Sequence, residues 1–263
     1  MPNPTFAANS VTPCMPGITL TALTRGAAAA CMLAAAASSA LAGPTQCEAQ
    51  SSASLTPVIE LYTSEGCSSC PPADKWASTL KGKNAVVEAF HVGYWDYIGW
   101  VDRFASPVYT TRQRQIAALN GQSSIYTPQV VRNGQDWRDY GRALSGNEPA
   151  RVTLAVKRLG GDGAGEQFEA TVTPLPGAPA QWSAYWTVTE NGHTSRVKSG
   201  ENAGEFLQHD FVVRQYTPAG DYSGPARLTL RPIAADPAHA RQVNLVVFDP
   251  KTGKPLQAIG LPC

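Results

Sequence analysis

Runs of apolar and β-prone residues alternate with turn residues through the first half of the chain. Residues 58–62 and 85–92 are almost continuously apolar, which predicts two strands, the second one buried on both faces of a sheet. Pro71 and Pro72 lie between them and suit the first turn of a helix, and the helix-compatible residues 73–80 follow. The pattern therefore begins as strand, helix and strand.

The same half continues with a second helix and a hairpin. Residues 110–119 predict the helix, residues 125–131 a strand, and Asn133-Gly134 the turn that leads into another short strand. Pro149 suits the first turn of a third helix. The apolar face of that helix is predicted to consist of Val152, Ala155, Val156 and Leu159. This order of elements indicates an α/β domain with a mixed sheet.

The second half of the chain contains only strand-like patterns. A glycine-rich stretch, residues 160–165, is typical of a linker. Beyond it, turn residues separate runs that predict strands at residues 168–172, 182–188, 211–215, 226–230 and 243–247. We therefore expect one domain at residues 43–160 and a small all-β, sandwich-like domain at residues 161–263.

The first 42 residues have the pattern of an export signal. Arg25 is their only charged residue, an alanine-rich apolar run follows it, and Ala40-Leu41-Ala42 offers small residues for cleavage after Ala42. The apolar run is shorter than the roughly 20 residues that a membrane-spanning helix needs, which disfavours a retained anchor. We therefore expect a signal peptide at residues 1–42, a periplasmic or secreted mature protein, and no membrane span after cleavage.

Composition narrows the possible partners. The chain has 263 residues, of which 43% are hydrophobic and 16% charged, so it can bury a sizeable core. Its formal net charge of +1 gives no reason to expect a nucleic-acid partner. The oligomeric state does not follow from the sequence.

Cysteine spacing predicts two disulfides. Removal of residues 1–42 leaves Cys47, Cys67, Cys70 and Cys263, and an even number of cysteines in an exported protein suggests disulfides. Cys67 and Cys70 are close enough in sequence to pair with each other. Cys47 and Cys263 would then form a structural disulfide that joins the two ends of the chain.

The Cys67-Ser68-Ser69-Cys70 motif is the strongest candidate for chemistry. It follows a predicted strand and precedes a predicted helix, so the Cys67 sulfur would lie at the positive end of the helix dipole. That position lowers the pKa of a thiol and favours the thiolate that attacks disulfides. Cys70, one turn later, would resolve the mixed disulfide. Glu65 argues weakly against this, because a nearby carboxylate disfavours a second anion.

Several segments carry a resemblance to known families. They are residues 59–74 (IELYTSEGCSSCPPAD), 91–96 (HVGYWD), 99–102 (GWVD), 112–113 (RQ), 126–129 (YTPQ), 200–202 (GEN) and His209. The first of these resembles the thioredoxin superfamily. Together they more closely resemble the secreted bacterial proteins grouped as domain-of-unknown-function family 1223.

The resemblance implies a fold and a second half of the site. The expected fold is α/β, a thioredoxin-like mixed sheet with helices on both faces, followed by the β-rich domain. Thr127 and Pro128 would lie opposite the cysteines, with a cis peptide bond before Pro128 and with Thr127 offering its backbone to an extended substrate. The Ser-Ser between the cysteines departs from the Gly-Pro of thioredoxin, so the direction of electron flow does not carry over.

These patterns favour an exported thiol–disulfide oxidoreductase-like protein. Cys67 and Cys70 would be its catalytic residues, its partners would be protein or peptide thiols and disulfides, and it would need no cofactor. The alternative is a non-catalytic binding module, in which the same pair forms an inert disulfide or carries Cu(I). A zinc site is disfavoured because His91 is the only conceivable neighbouring ligand.

Other polar and aromatic segments leave two interpretations open. Aromatic residues 94–100 either line a substrate groove or pack against the sheet. Glu201 and Asn202 are expected to cap a turn. The four histidines of the chain are expected to be structural or exposed.

Overall fold

A computed structural model describes residues 47–160 and 165–263. The predicted signal segment, residues 1–42, and most of the predicted linker lie outside these ranges. The described residues contain fourteen strands, two α-helices and two short 3₁₀ turns, at Asp96–Ile98 and Tyr140–Arg142. The strands and helices, in chain order, are β1 (Glu48–Gln50), β2 (Val58–Thr63), α1 (Pro71–Ser78), β3 (Val86–His91), α2 (Pro107–Leu119), β4 (Gln129–Arg132), β5 (Gln135–Asp136), β6 (Val152–Leu159), β7 (Gln167–Pro174), β8 (Trp182–Glu190), β9 (His193–Arg196), β10 (Phe206–His209), β11 (Val212–Tyr222), β12 (Ala226–Leu230), β13 (Arg241–Phe248) and β14 (Pro255–Leu261).

The larger sheet joins strands from both halves of the chain. It has eight strands in the order β14-β13-β8-β11-β3-β2-β4-β5. β2 and β3 are parallel, and β11 also runs parallel to β3, with Val212 opposite Ala89; the remaining neighbours are antiparallel. The sheet is therefore continuous across residue 160.

A second sheet covers part of the first. Its four strands, β1-β6-β7-β12, are antiparallel throughout. Inward-facing residues of β6 and β7, among them Leu154 and Phe168, pack with Trp182 and Trp186 of β8 in one buried cluster. β9 and β10 form a separate two-stranded hairpin, and β10 contacts α1.

The two helices pack on opposite faces of the β2–β3–β4 region. Ala73 and Ala77 of α1 share a buried cluster with Ile59 and Leu61 of β2. On the other face, Ile116 of α2 packs in a cluster with Tyr62 of β2. Alternate residues of β2 thus face α1 and α2, as the period of two in a strand requires. None of the helices in the described ranges is long and apolar enough to cross a membrane.

The predicted fold class is wrong. In the described residues 41% lie in strands and 13% in helices, with only two α-helices, so the molecule is mainly β rather than a helix-rich α/β thioredoxin-like fold followed by a separate sandwich. The physical reason lies in strand pairing. β11 supplies the hydrogen bonds beside β3, and β8, β13 and β14 extend the same sheet.

The third predicted helix is also wrong, because its residues form β6. Val152, Leu154 and Val156 are buried, and the intervening residues Thr153 and Ala155 are exposed. That alternation has the period of a strand. The apolar helical face predicted from the sequence therefore combined buried strand positions, such as Val152 and Val156, with the exposed position of Ala155.

A disulfide ties the first strand of the small sheet to the last strand of the large one. It joins Cys47, directly before β1, to Cys263, shortly after β14. Both cysteines pack against the cluster between the two sheets. This pair and the Cys67–Cys70 disulfide are the two pairings expected from the sequence.

Ionisable groups are buried between α2 and the large sheet. Arg112 donates to both carboxylate oxygens of Glu60, at 2.8 Å each. Glu88 lies opposite Glu60 on β3 and accepts hydrogen bonds from the hydroxyls of Tyr185 (2.9 Å) and Thr187 (2.6 Å). Burial, reinforced by the charge of Glu60, raises the pKa of Glu88 to about 7.

Glu88→Gln is expected to stabilise the protein at pH 8 but not at pH 5. The folded pKa of Glu88 lies above the unfolded one, so the wild type loses stability as pH rises from about 4.5 to about 7. Glutamine does not ionise, so the variant should avoid this loss, and its free energy of unfolding at pH 8 should be higher by up to ~3 kcal/mol. Urea unfolding at both pH values measures it. The exposed Glu148→Gln is the control, and an equal effect of Glu88→Gln at both pH values would contradict the prediction.

Candidate functional site

The Cys67–Cys70 disulfide lies at the junction between β2 and α1. Residues 64–66 turn the chain after β2, with Cys67 N donating to the carbonyl of Ser64 (3.1 Å). Cys70 N then donates to the carbonyl of Cys67 (3.2 Å), and α1 begins at Pro71. The Cα atoms of the two cysteines are 5.4 Å apart. The strand–motif–helix arrangement therefore matches the sequence prediction.

The sulfur atoms are less accessible than the sequence suggested. Cys67 is 1% exposed and Cys70 0%, although Ser68 and Ser69 between them are exposed. Pro71 brings no backbone N–H to the start of α1. Access to the disulfide therefore depends on the residues that cover it.

The turn between β9 and β10 contacts the cysteine turn. Asn202 Nδ2 donates to the carbonyl oxygens of Glu65 (2.9 Å) and Cys67 (3.0 Å). Ser68 N donates to Glu201 Oε2 (3.1 Å). These contacts from Ser68 lower the pKa of Glu201. Asn202 thus bonds to the cysteine turn itself, in addition to its expected place in a turn.

Glu65, His209 and Asp74 form a buried row next to the cysteines. Glu65 is two residues before Cys67, and Asp74 is one helical turn after Cys70. His209 Nε2 lies 3.3 Å from Glu65 Oε1, and His209 Nδ1 lies 3.9 Å from Asp74 Oδ2, neither in a well-aligned hydrogen bond. All three side chains are less than a tenth exposed.

The two carboxyl groups of this row differ in their pKa. Burial raises the pKa of Asp74, and the nearby His209 only partly offsets it. Burial also opposes ionisation of Glu65, but contacts with His209 and Ser195, together with a 2.7 Å hydrogen bond from Trp100 Nε1, hold its pKa below the usual value. Glu65 therefore carries the charge more readily than Asp74.

A second buried pair adjoins the row. Asp102 Oδ2 lies 2.7 Å from His91 Nδ1 and accepts a hydrogen bond from the backbone N–H of Glu65 (2.9 Å). Burial opposes both charges, yet the mutual attraction lowers the pKa of Asp102 and raises that of His91. The rings of His91 and His209 are 4.9 Å apart, edge to face. Two histidines expected to be structural or exposed thus lie at the candidate site.

Thr127 and Pro128 reach the cysteine turn through a tryptophan. The Thr127–Pro128 peptide bond is cis. Trp95 Nε1 donates to Thr127 Oγ1 (2.7 Å), and a Cβ at Gly66 would lie 3.0 Å from the Trp95 Cβ. Gly66 therefore permits a close approach that a side chain would block. Both Thr127 and Pro128 are half-buried.

The aromatic stretch contains two hydrogen-bonded tryptophans and an exposed tyrosine. Trp95 and Trp100 make hydrogen bonds within the site, so they serve as packing and support. Tyr97, in contrast, is 80% exposed and Val101 70% exposed. Across the described parts of the chain, no group of three or more His, Cys, Asp or Glu side chains is arranged to hold a metal ion.

The sequence predicted the cysteines as site residues. It did not predict that Asn202 and His209, from the second half of the chain, lie beside them. Asn202 is 135 residues from Cys67 along the chain. Gly200–Asn202 and His209 stood out only as segments shared with a family. No local periodicity places them beside Glu65.

The chain is similar to known proteins whose names state no activity. Among solved structures, the chain is similar to protein AGR_C_4864 from Agrobacterium tumefaciens, with 25% identity and a TM-score of 0.58 over 80% of this chain and 96% of that one. It is also similar to HBP35 of Porphyromonas gingivalis, with 14% identity and a TM-score of 0.54 over 80% and 76%. The second likeness concerns the fold alone. No curated protein gives a significant match.

A family match supplies the assignment. The family model described as "Protein of unknown function (DUF1223)" matches residues 58–248, which include the cysteine pair, Thr127, Pro128 and the Glu201–Asn202 turn. The match spans most of the chain and both halves of the large sheet. The chain therefore belongs to the DUF1223 family of proteins of unknown function.

Proposed function

We propose that the protein is an exported thiol–disulfide exchange protein whose reacting pair is Cys67 and Cys70. One observation carries the proposal: the disulfide lies along the chain between two buried carboxyl residues, Glu65 and Asp74, that both face His209. Burying ionisable groups costs stability, and such clusters with shifted pKa values are concentrated at functional sites. An inert disulfide needs no such neighbours.

Exchange moves two electrons from the partner to the cysteine pair. A thiolate of the partner attacks Cys67 Sγ, a new sulfur–sulfur bond forms between them, and Cys70 leaves as a thiolate that takes up a proton. A second partner thiolate then displaces Cys67. The partner is oxidised to a disulfide, and the pair gains two electrons and two protons. The reverse sequence reduces a partner disulfide.

Asp74 is the proton donor that this step needs. Its raised pKa lets it hold a proton closer to neutral pH than an exposed aspartate does. It follows Cys70 by one helical turn, and His209 links its side to Glu65. Asp74, His209 and Glu65 would thus take up and release the protons of each turnover beside the cysteine pair.

Thr127 and Pro128 would position the partner, which is a protein or peptide segment. Both are half-buried, and Trp95 connects Thr127 to the turn before Cys67. An extended segment lying along Thr127 would bring its own sulfur towards Cys67. No cofactor enters this proposal, because the cysteines carry the electrons.

An exported location is part of the same proposal and agrees with the disulfides. The described residues contain two disulfides, and disulfides persist mainly in oxidising compartments. The signal-like first 42 residues agree with a periplasmic or secreted location. The exchange partner would then be a protein of that compartment.

A redox titration in glutathione buffers tests the proposal. We expect Cys67–Cys70 to have a midpoint between roughly −120 and −270 mV, the range of exchange proteins. Alkylation and peptide mass spectrometry read each disulfide separately, with Cys47–Cys263 as the internal reference. A midpoint below about −300 mV would mark a structural disulfide and overturn the proposal.

Trapping variants assign the roles of the two sulfurs. Cys70→Ser should accumulate mixed disulfides at Cys67, because the resolving thiol is missing. Cys67→Ser, the matched control, should accumulate far fewer. Equal trapping by both variants would contradict the assignment of Cys67 as the residue that forms the mixed disulfide with the partner.

A further inference from the structure

The turn between β9 and β10 is hydrogen-bonded to the backbone around Cys67 but is itself largely exposed. We call residues 198–204 of this turn the tip. Lys198, Ser199, Glu201, Ala203 and Gly204 are exposed, and Asn202 is only 5% exposed. The buried residue of the tip is thus the one whose side chain bonds to the cysteine turn.

Few interactions hold the tip in place. Asn202 Nδ2 donates to the carbonyls of Glu65 and Cys67, and Glu201 accepts from Ser68 N. The hydroxyl of Ser199 donates to the carbonyl of Gly99. Each such bond adds only a little net stability, because water replaces it on opening, and the exposed tip adds little apolar burial. Opening the tip therefore costs far less than unfolding the sheets.

The tip adjoins a buried bond that exchange must reach. A thiolate or phosphine attacks a disulfide sulfur along the sulfur–sulfur axis, so it must touch the sulfur directly. With Cys67 at 1% exposure and Cys70 at 0%, neither sulfur offers that approach in the closed arrangement. The exposed Ser68 and Ser69 bring a reductant near the pair but do not open a path to it.

We infer that the tip is a gate over Cys67–Cys70 and that Asn202 is its latch. When Asn202 releases the carbonyls of Glu65 and Cys67, the tip moves off the turn and Cys67 Sγ becomes accessible. Asn202 and Glu201 are thus positioning residues, supplied by the second half of the chain, that set how fast the pair reacts. The inference rests on the proposed exchange function and deepens it, because it names what controls access to the same pair.

The gate also affects the thiolate after reduction. Glu201 occupies the backbone N–H of Ser68 in the closed arrangement, next to Cys67. This N–H is then not available to a Cys67 thiolate, and the carboxylate adds a like charge to the same turn. The closed gate therefore favours the disulfide, and the open gate favours the reactive thiolate.

Reduction kinetics of the full chain test the gate. The probe is tris(2-carboxyethyl)phosphine, and alkylation with peptide mass spectrometry follows each disulfide separately. For the wild type, the reduction rate of Cys67–Cys70 should level off as phosphine concentration rises, because opening becomes limiting. Asn202→Ala should react roughly 10- to 30-fold faster at low phosphine, since it loses two latch bonds.

Two references make the result specific. Cys47–Cys263 in the same molecule should be reduced at an unchanged rate. Asn120→Ala removes an amide that also donates to two backbone carbonyls, those of Ile116 and Gly134, at the far end of α2. This control should leave the rate at Cys67–Cys70 within about twofold of the wild type, a change that corresponds to less than one such hydrogen bond.

A second variant covers the case in which Asn202→Ala fails to fold. Glu201 is fully exposed, so Glu201→Ala keeps the fold, and it should speed reduction of Cys67–Cys70 roughly fivefold. If neither variant accelerates reduction, or if both disulfides accelerate equally through global unfolding, the gate is refuted. Faster reduction of Cys67–Cys70 in the variants, combined with a midpoint in the range of structural disulfides, would instead refute the exchange function and leave the gate standing.

Discussion

Replacing Arg112 with methionine is expected to lower the free energy of unfolding by about 3 to 5 kcal/mol. Arg112 makes a bidentate pair with Glu60, and the side chains are 8% and 3% exposed. Glu88 is the neighbour of Glu60 on the adjacent strand. Without the guanidinium, two buried carboxyl groups face each other with no positive charge between them. Methionine keeps the apolar stem, so the loss measures mainly the missing charge.

A double variant separates the stability cost of leaving Glu60 unpaired from the net contribution of the Glu60–Arg112 ion pair. The double variant Glu60→Gln/Arg112→Met should recover part of the lost stability, because the carboxylate of Glu60 is no longer left buried without its partner. Arg142→Met, which breaks the exposed ion pair with Asp139, is the control and should cost less than about 1 kcal/mol. Urea unfolding at pH 7 gives all three values. A loss below about 1 kcal/mol for Arg112→Met would contradict the prediction.

Replacing both Cys47 and Cys263 with serine is expected to cost about 5 kcal/mol. The disulfide closes a loop with a sequence separation of 216, so it removes much of the conformational freedom of the unfolded chain. It also fastens β1 to β14, which belong to different sheets. The first strand of the small sheet has only three residues and should detach first without it.

Urea unfolding without reductant measures this effect. The midpoint of the serine double variant should fall well below that of the wild type. Cys67→Ser/Cys70→Ser, which opens a loop of sequence separation 3, is the matched control and should cost much less. Equal losses in the two double variants would show that loop length does not govern the stabilisation.

Local pattern was enough to predict many elements but not their pairing. The continuous apolar runs at residues 58–62 and 85–92 correspond to β2 and β3, and Pro71 begins α1 as expected. The strand predicted at residues 211–215 overlaps the start of β11. Its partner could not be predicted, because the alternation of a strand specifies which face is buried and not which strand lies beside it.

Short polar strands were missed for a related reason. β9 has the sequence HTSR and β10 has FLQH, with alternate residues buried. Their buried positions include His193, Ser195 and His209, which no hydrophobic pattern would select. The hairpin forms because polar partners such as Glu190 and Glu65 are nearby in the fold. Those partners are supplied by tertiary structure.

Some residues of the candidate site could likewise be predicted from local motifs, and others could not. Cys67, Cys70, Thr127 and Pro128 could be selected from motifs, because each motif places chemistry within a few residues. Asn202 and His209 could not, since their role depends on contacts across more than a hundred residues of chain. The sequence offered Glu65 only as a carboxylate near the cysteines, and its contact with His209 required the fold.

The disulfide between the chain ends imposes an order on oxidation during biosynthesis. Cys67 and Cys70 can pair as soon as both leave the ribosome or the export channel, whereas Cys47 must wait for Cys263. At roughly 5–20 residues per second, the separation of 216 residues corresponds to a delay on the order of 10 to 40 s. During that time Cys47 has no native partner, and the earlier closure of Cys67–Cys70 removes two of the thiols with which it could pair wrongly. The short-range pair thus protects the long-range one while the molecule is being made.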